Sequence, residues 1–319
     1  MPDDRPDPRR HSKFQRLVDA AQKEPPVVTA VAHPCDEVSL KSAAEAARLK
    51  LIEPILVGPG RRITEVARKS GVDISGFEVV DAVYSQAAAR AAVELVREGR
   101  AEALMKGSLH TDELMAPVVS RDTGLRTARR LSHCFVMDVP SHQDALIVTD
   151  AAVNIAPSLE DKVDIVQNAI DLAHVLTTEV VRVAILCAVE TVNPKMVSTL
   201  DAAALCKMAD RGQITGAVLD GPLAFDNAIR LEAAAIKKIH SPVAGRANVL
   251  VVPDLEAGNM LAKSMSILAG ADAAGIVLGA RVPIVLTSRA DAELTRLASC
   301  AVASLLAAHR RKSLTAAIG

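Results

Sequence analysis

The stretch Leu286-Thr287-Ser288-Arg289-Ala290-Asp291-Ala292-Glu293 places a hydroxyl, a guanidinium and a carboxylate within four residues, at the end of the apolar run PIVLTS. A strand that ends there and opens into a helix would present all three groups together. The guanidinium suits a phosphate, the hydroxyl a developing oxyanion, and the carboxylate a thiol proton. Ser288 three residues before Asp291 also has the spacing of a capping box, worth about 1 kcal/mol and no chemistry. From spacing alone both readings stand.

Three further strand-to-helix turns carry usable groups. Met105-Lys106-Gly107-Ser108-Leu109-His110-Thr111-Asp112 offers an ammonium, a hydroxyl and a glycine that permits a tight turn before a helix capped by Ser108 or Thr111. Backbone N–H groups at such a helix start favour phosphate oxygens. The stretch lacks the G-x-x-x-x-G-K-[ST] frame of a Walker A loop. Gly124-Leu125-Arg126-Thr127 precedes Arg129, Arg130 and His133, and is either a phosphate-binding cluster or a solvated face. Pro253-Asp254-Leu255-Glu256-Ala257-Gly258-Asn259-Met260 can line a site or simply cap a helix through Asp254. There is no G-x-S-x-G elbow, H-E-x-x-H pair, EF-hand loop or G-x-G-x-x-G after a strand, and the eight histidines are scattered, so no tightly held metal is expected.

The elements that must position these groups follow a rhythm of short β-branched apolar runs and Ala-rich amphipathic stretches. Strands are expected at 27–32, 54–58, 77–80, 102–105, 133–139, 145–149, 182–189, 215–221, 247–253, 273–279 and 283–288. Helices are expected between most of them and from Asp291 to about Ala308. Continuously apolar strands alternating with helices signal parallel sheets covered on both faces, whose ligand crevice lies beyond the carboxyl ends of the strands. The polar PSHQD at 140–144 marks a boundary. One domain then spans 1–140 and takes back the final helix, 289–319; the other spans 141–288.

At 319 residues the chain has room for two α/β domains. It is 50% hydrophobic but only 2% aromatic, so the core is aliphatic and lacks the platforms on which single-stranded nucleic acids stack. A net charge of −1 lacks the positive excess of a phosphate-backbone binder. No apolar run approaches the roughly 18–20 residues that span a bilayer. The N-terminal MPDDRPDPRRHSKFQR has no apolar h-region, and its prolines among charges read as a floppy tail. Cys35, Cys134, Cys187, Cys206 and Cys300 are odd in number and unpaired in pattern, as small buried residues in a reducing cytoplasm would be.

The stretches ALMKGSLHTDEL, GLRTARRLSH, ITGAVLDGPLAFDNAI, VAGRANVLVVPDLEAGNMLAKSM and GARVPIVLTSRAD, in this order, resemble the phosphate acetyltransferase / phosphate butyryltransferase family. The resemblance covers nearly everything after residue 27. It is strongest to the phosphotransacetylase segment found joined to an enoyl-CoA hydratase domain, and no hydratase domain is present in this chain. It implies a fold like that of isocitrate and isopropylmalate dehydrogenases: two α/β domains of mostly parallel sheets with helices on both faces, forming a homodimer with the cleft between the domains. The implied reaction is reversible transfer of a short acyl group, acetyl above butyryl, between coenzyme A and inorganic phosphate. Coenzyme A would be a substrate, and no cofactor would be held tightly. The thiolate would attack the acyl phosphate directly, with Ser288 on the oxyanion and Arg289 on the phosphoryl group. The family's aspartate, seven residues after the serine in the acetyltransferase pattern, falls here on Thr295. The shorter SRAD form leaves Asp291, or else Glu293, as the base. Arg126, Lys106, Gly107 and Ser108 are expected on the phosphate side, with Asn259 as a further substrate contact. A non-catalytic subunit that binds coenzyme A or acyl phosphate and docks on a hydratase is the alternative. A metal- and NAD-dependent dehydrogenase would need clustered aspartates that the sequence lacks.

Overall fold

The computed structural model describes residues 12–176, 180–287 and 292–318. In chain order its elements are α1 (Ser12–Ala21), β1 (Val27–Ala32), α2 (Glu37–Arg48), β2 (Ile52–Gly58), α3 (Gly60–Ser70), β3 (Glu78–Asp81), α4 (Ser85–Arg97), β4 (Ala103–Lys106) and α5 (Thr111–Val118). There follow β5 (Ser132–Asp138), β6 (Leu146–Thr149), α6 (Leu159–Leu176), β7 (Arg182–Leu186), α7 (Val197–Asp210), β8 (Val218–Leu223), α8 (Phe225–Ile229) and α9 (Leu231–Ile236). The chain closes with β9 (Val249–Val251), α10 (Leu255–Leu268), β10 (Asp272–Leu278), β11 (Ile284–Val285) and α11 (Glu293–Ile318). Among the described residues no helix is long and apolar enough to cross a membrane.

The chain divides into two compact units, a terminal unit of residues 14–129 with 274–319 and a middle unit of residues 1–13 with 130–273. The chain crosses between the units at 13/14, 129/130 and 273/274; the boundaries expected from the sequence are 140/141 and 288/289. In the terminal unit the strands run β3-β2-β1-β4-β11-β10. All neighbours pair in parallel except β10 with β11, a tight antiparallel return. Val31, Leu56, Leu104 and Met105 are buried between helix layers, as continuously apolar parallel strands require. The middle unit runs β5-β6-β9-β7-β8, with β5 and β6 antiparallel and the rest parallel. Its core gathers Met137, Leu146, Val148, Leu223, Leu250 and Met265.

Local chemistry explains the boundaries. Asp36 caps α2 by accepting the Ser39 N–H at 2.8 Å. The sequence reading passed over α3, because Gly58-Pro59-Gly60 reads as a turn. The Gly60 N–H is held by Asp81 Oδ1 at 2.8 Å, and Gly71 ends the helix in the left-handed region at φ 68°. The expected strand at 283–288 is confined to Ile284–Val285, because these residues pair with β10 on one side and β4 on the other only over that span. Between the strands expected at 215–221 and 247–253 the helix is split at Arg230, whose extended backbone separates α8 from α9. The final helix packs on β1, β4 and β11 of the terminal unit.

Candidate active site

In the terminal unit β1, β4 and β11 lie side by side and parallel, with Ala32 opposite Lys106 and Val285 opposite Met105. Their carboxyl ends therefore open on one edge. There the chain leaves β1 through His33, leaves β4 through Gly107, and leaves β11 through Leu286 and the buried Thr287. Ser288, Arg289 and Asp291 lie outside the described residues, but the strand that leads to them is the immediate neighbour of the one that carries Lys106.

The turn after β4 is clamped onto the turn after β1. The Gly107 N–H donates to Ala32 O at 2.9 Å and the Ser108 N–H to His33 O at 2.9 Å. A Cβ at position 107 would stand 2.4 Å from Ala32 O and 2.6 Å from His33 O, so only glycine fits. Neither Ser108 nor Thr111 caps α5, contrary to the sequence reading: the cap is His110, whose N–H is held by Glu113 Oε2 at 2.9 Å. Ser108 instead reaches back to the first turn, donating its Oγ–H to His33 O at 2.8 Å and accepting the Cys35 N–H at 3.3 Å. His33 Nδ1 lies 3.0 Å from the same Oγ. Lys106 Nζ bends over the loop, donating to Leu109 O at 3.1 Å and Gly107 O at 3.4 Å.

The charges around this edge are ordered. Glu113 accepts from Ser85 Oγ and from the His110 N–H, which together hold its carboxyl below the usual range. Burial, reinforced by the Arg62 guanidinium, lowers the pKa of His33 against the opposing pull of Glu113 and Asp36. Burial pushes the Cys35 thiol up to about 11, so it is not a nucleophile at neutral pH.

The other predicted residues are placed separately. Arg126, also in the terminal unit, is exposed and forms an isolated antiparallel bridge with Ala280, secured by Thr127 Oγ1 to Gly279 O at 2.7 Å. Glu293 is exposed at the start of α11 and lines a groove of about 670 Å³ with Lys41, Glu45, Arg48 and Arg296. Thr295, seven residues after Ser288, is buried, and its carbonyl accepts Ser299 Oγ–H. Asn259 belongs to the middle unit: its Nδ2 donates to Ala151 O at 3.3 Å, on a helix capped by Asp254 through the Ala257 N–H. The structure thus gathers Lys106, Gly107 and Ser108 on one edge, and puts Asn259 on a different unit from them.

The sequence reading missed two groups. His33 and Cys35 stand in Ala32-His33-Pro34-Cys35-Asp36, a strand-to-helix turn of the same kind as the four singled out. His33 occupies the left-handed region at φ 55°, a conformation the packed turn must enforce. In the middle unit Asp150 and Asn154 were also passed over, although Arg130 and His133 beside them were singled out. Asp150 accepts N–H groups of Ala152, Val153 and Asn154, and Asn154 Oδ1 accepts Arg130 Nε–H at 2.7 Å. His133 is buried near it, with Nδ1 unpartnered. Among the described residues no group of three or more His, Cys, Asp or Glu could hold a metal ion.

The fold is that of the phosphotransacylases. A branched-chain phosphotransacylase from Enterococcus faecalis V583 superposes with a TM-score of 0.77 at 29% identity, covering 88% of this chain and 99% of that one. A 4-hydroxythreonine-4-phosphate dehydrogenase from Burkholderia phymatum shares the general architecture at a TM-score of 0.52 and 15% identity, covering 88% of this chain and 98% of that one. The family described as Phosphate acetyl/butaryl transferase matches residues 83–304. A phosphate acetyltransferase of Rhizobium meliloti is 65% identical over 98% of both chains. A phosphate butyryltransferase of Clostridium beijerinckii is 41% identical over 93% of this chain and 99% of its own. The chain belongs to the phosphate acetyl/butyryl transferase family.

Proposed function

We propose that this protein is a phosphate acyltransferase that moves an acetyl group reversibly between coenzyme A and inorganic phosphate. The observation that carries this is the 65% identity, along 98% of both chains, to a phosphate acetyltransferase, against 41% to a butyryltransferase. The parallel neighbourhood of β4 and β11 supports the chemistry, since it sets the Lys106 turn beside the strand leading to Ser288 and Arg289.

In this reading Arg289 and Arg126 hold the phosphoryl group, and the Lys106-Gly107-Ser108 turn faces the phosphate side. Asn259 contacts substrate, and Ser288 hydrogen-bonds the oxyanion. Asp291, or else Glu293, takes the thiol proton. A free thiol has a pKa of about 8.5, so at neutral pH only a few per cent is thiolate. A positioned base can contribute roughly 10²–10⁴-fold. The enzyme works in the cytoplasm as a homodimer, with coenzyme A as substrate and neither a metal nor a tightly held cofactor.

The test is thiol release from acetyl-, propionyl- and butyryl-CoA with and without phosphate. Phosphate-dependent release, fastest with acetyl-CoA, is expected. Phosphate-independent release, or none with any of the three, overturns the assignment.

A further inference from the structure

The proposed reaction has two proton problems, and the SRAD carboxylate answers only one. When hydrogen phosphate attacks acetyl-CoA, a new C–O bond forms, the C–S bond breaks, and the remaining P–OH becomes acidic as its oxygen charge is drawn into the acyl ester. The product acyl phosphate is a dianion, so that proton must leave on the phosphate side while the departing thiolate gains one on the other. We propose that His33 accepts the phosphate proton through Nε2 and, in the reverse direction, returns it to the departing phosphate. This rests on the phosphate acyltransferase reading and adds a residue to it.

We assign the tautomer from the contacts around Ser108. The hydroxyl proton is placed on the shorter contact, His33 O at 2.8 Å, rather than on Nδ1 at 3.0 Å. Ser108 Oγ therefore meets His33 Nδ1, 3.0 Å away, as an acceptor, and the ring proton sits on Nδ1. Nε2 is left with a lone pair. It has no hydrogen-bond partner among the described residues, and it is not among the buried polar atoms sealed without one, as Nδ1 of His133 is. The lone pair belongs to a residue that leaves β1 directly beside Lys106 of β4, on the edge to which the phosphate is assigned. Charges from three helices bear on the ring: Asp36 at the cap of α2, Arg62 of α3 and Glu113 of α5. Burial and Arg62 outweigh the two carboxylates and keep it neutral, the form able to accept a proton. The φ of 55° and the three bonds from the clamped turn fix the ring's place, as proton transfer requires. In each forward turnover His33 gains one proton and the SRAD carboxyl gives one to the thiolate; both then exchange with solvent.

His33→Asn separates proton transfer from positioning. Asparagine tolerates the left-handed region and offers an N–H to Ser108, but has no basic nitrogen. The expected result is a kcat lower by roughly 10²–10⁴-fold with an unchanged melting temperature. The KM values for phosphate and acetyl-CoA should stay within about threefold, as for an interaction made only in the transition state. His33→Ala assayed with added imidazole provides the second arm, and partial restoration of kcat is expected. His33→Asn within about threefold of wild type, or His33→Ala unmoved by imidazole, overturns the role of His33 while leaving the acyltransferase intact. A wild-type protein inert toward phosphate and acetyl-CoA overturns both.

Discussion

The N–H of Gly107 donates to the carbonyl of Ala32 at 2.9 Å, and the same carbonyl lies 2.4 Å from where any Cβ at position 107 would stand. The contact that closes the turn therefore also restricts it to glycine. Gly107→Ala must push the β4 turn away from β1, and with it Lys106 and Ser108. We expect a loss of about 1–3 kcal/mol in stability from the overpacked backbone. Phosphate-dependent thiol release should fall at least tenfold. Thermal melting and the thiol assay, run on the same preparation, check both.

Arg289→Ala is expected to raise the phosphate KM or depress kcat by roughly 10²-fold, the effect of removing a charged transition-state contact. Its melting temperature should stay near wild type. A large fall in melting temperature with normal kinetics would mean that the SRAD turn only caps α11.

Asp291→Asn and Glu293→Gln divide the base assignment. Glu293 is exposed on a groove shared with Arg48 and Arg296, a setting that solvates its carboxylate. Asp291→Asn should lower kcat by about 10²-fold or more, and Glu293→Gln by less than about threefold. The reverse order would move the base two residues along the chain.

His133 gives the fold a pH dependence of its own. Burial drives its pKa from 6.5 down to about 4, with Asp150 opposing the shift. The folded state therefore binds the proton less readily than the unfolded chain. Stability is full above pH 6.5 and declines as pH falls from 6.5 toward 4, by a total on the order of 3 kcal/mol. His133→Phe keeps an aromatic ring against Phe135, whose centroid lies 4.4 Å away, and cannot titrate. Its melting temperature should change less than that of wild type between pH 6.5 and 4.5. Parallel pH curves for the two proteins would refute this.

Much of the architecture was legible because local patterns agreed with it. VVTAVA is β1, settled within a few residues of sequence. What escaped was decided at long range. α3 begins at a glycine held by an aspartate 21 residues away, and β11 is cut to two residues by the strands on either side of it. The site divides the same way. Lys106, Gly107 and Ser108 were found from a turn's own composition, whereas the importance of His33 depends on a serine 75 positions further along. No reading confined to one turn could pair them. Ser108 was expected at a helix start because hydroxyls there usually cap; it was recruited by the neighbouring strand end instead.

The return of β11 alongside β4 has a consequence for how the protein is made. β11 and α11 follow the strands of the middle unit in the chain, whereas β1 through β4 precede them. On the ribosome, the flank of β4 that β11 covers stays unpaired until those intervening strands have been synthesised. The nascent terminal unit thus carries an unpaired, apolar strand edge throughout that interval, the situation in which chaperone protection matters most.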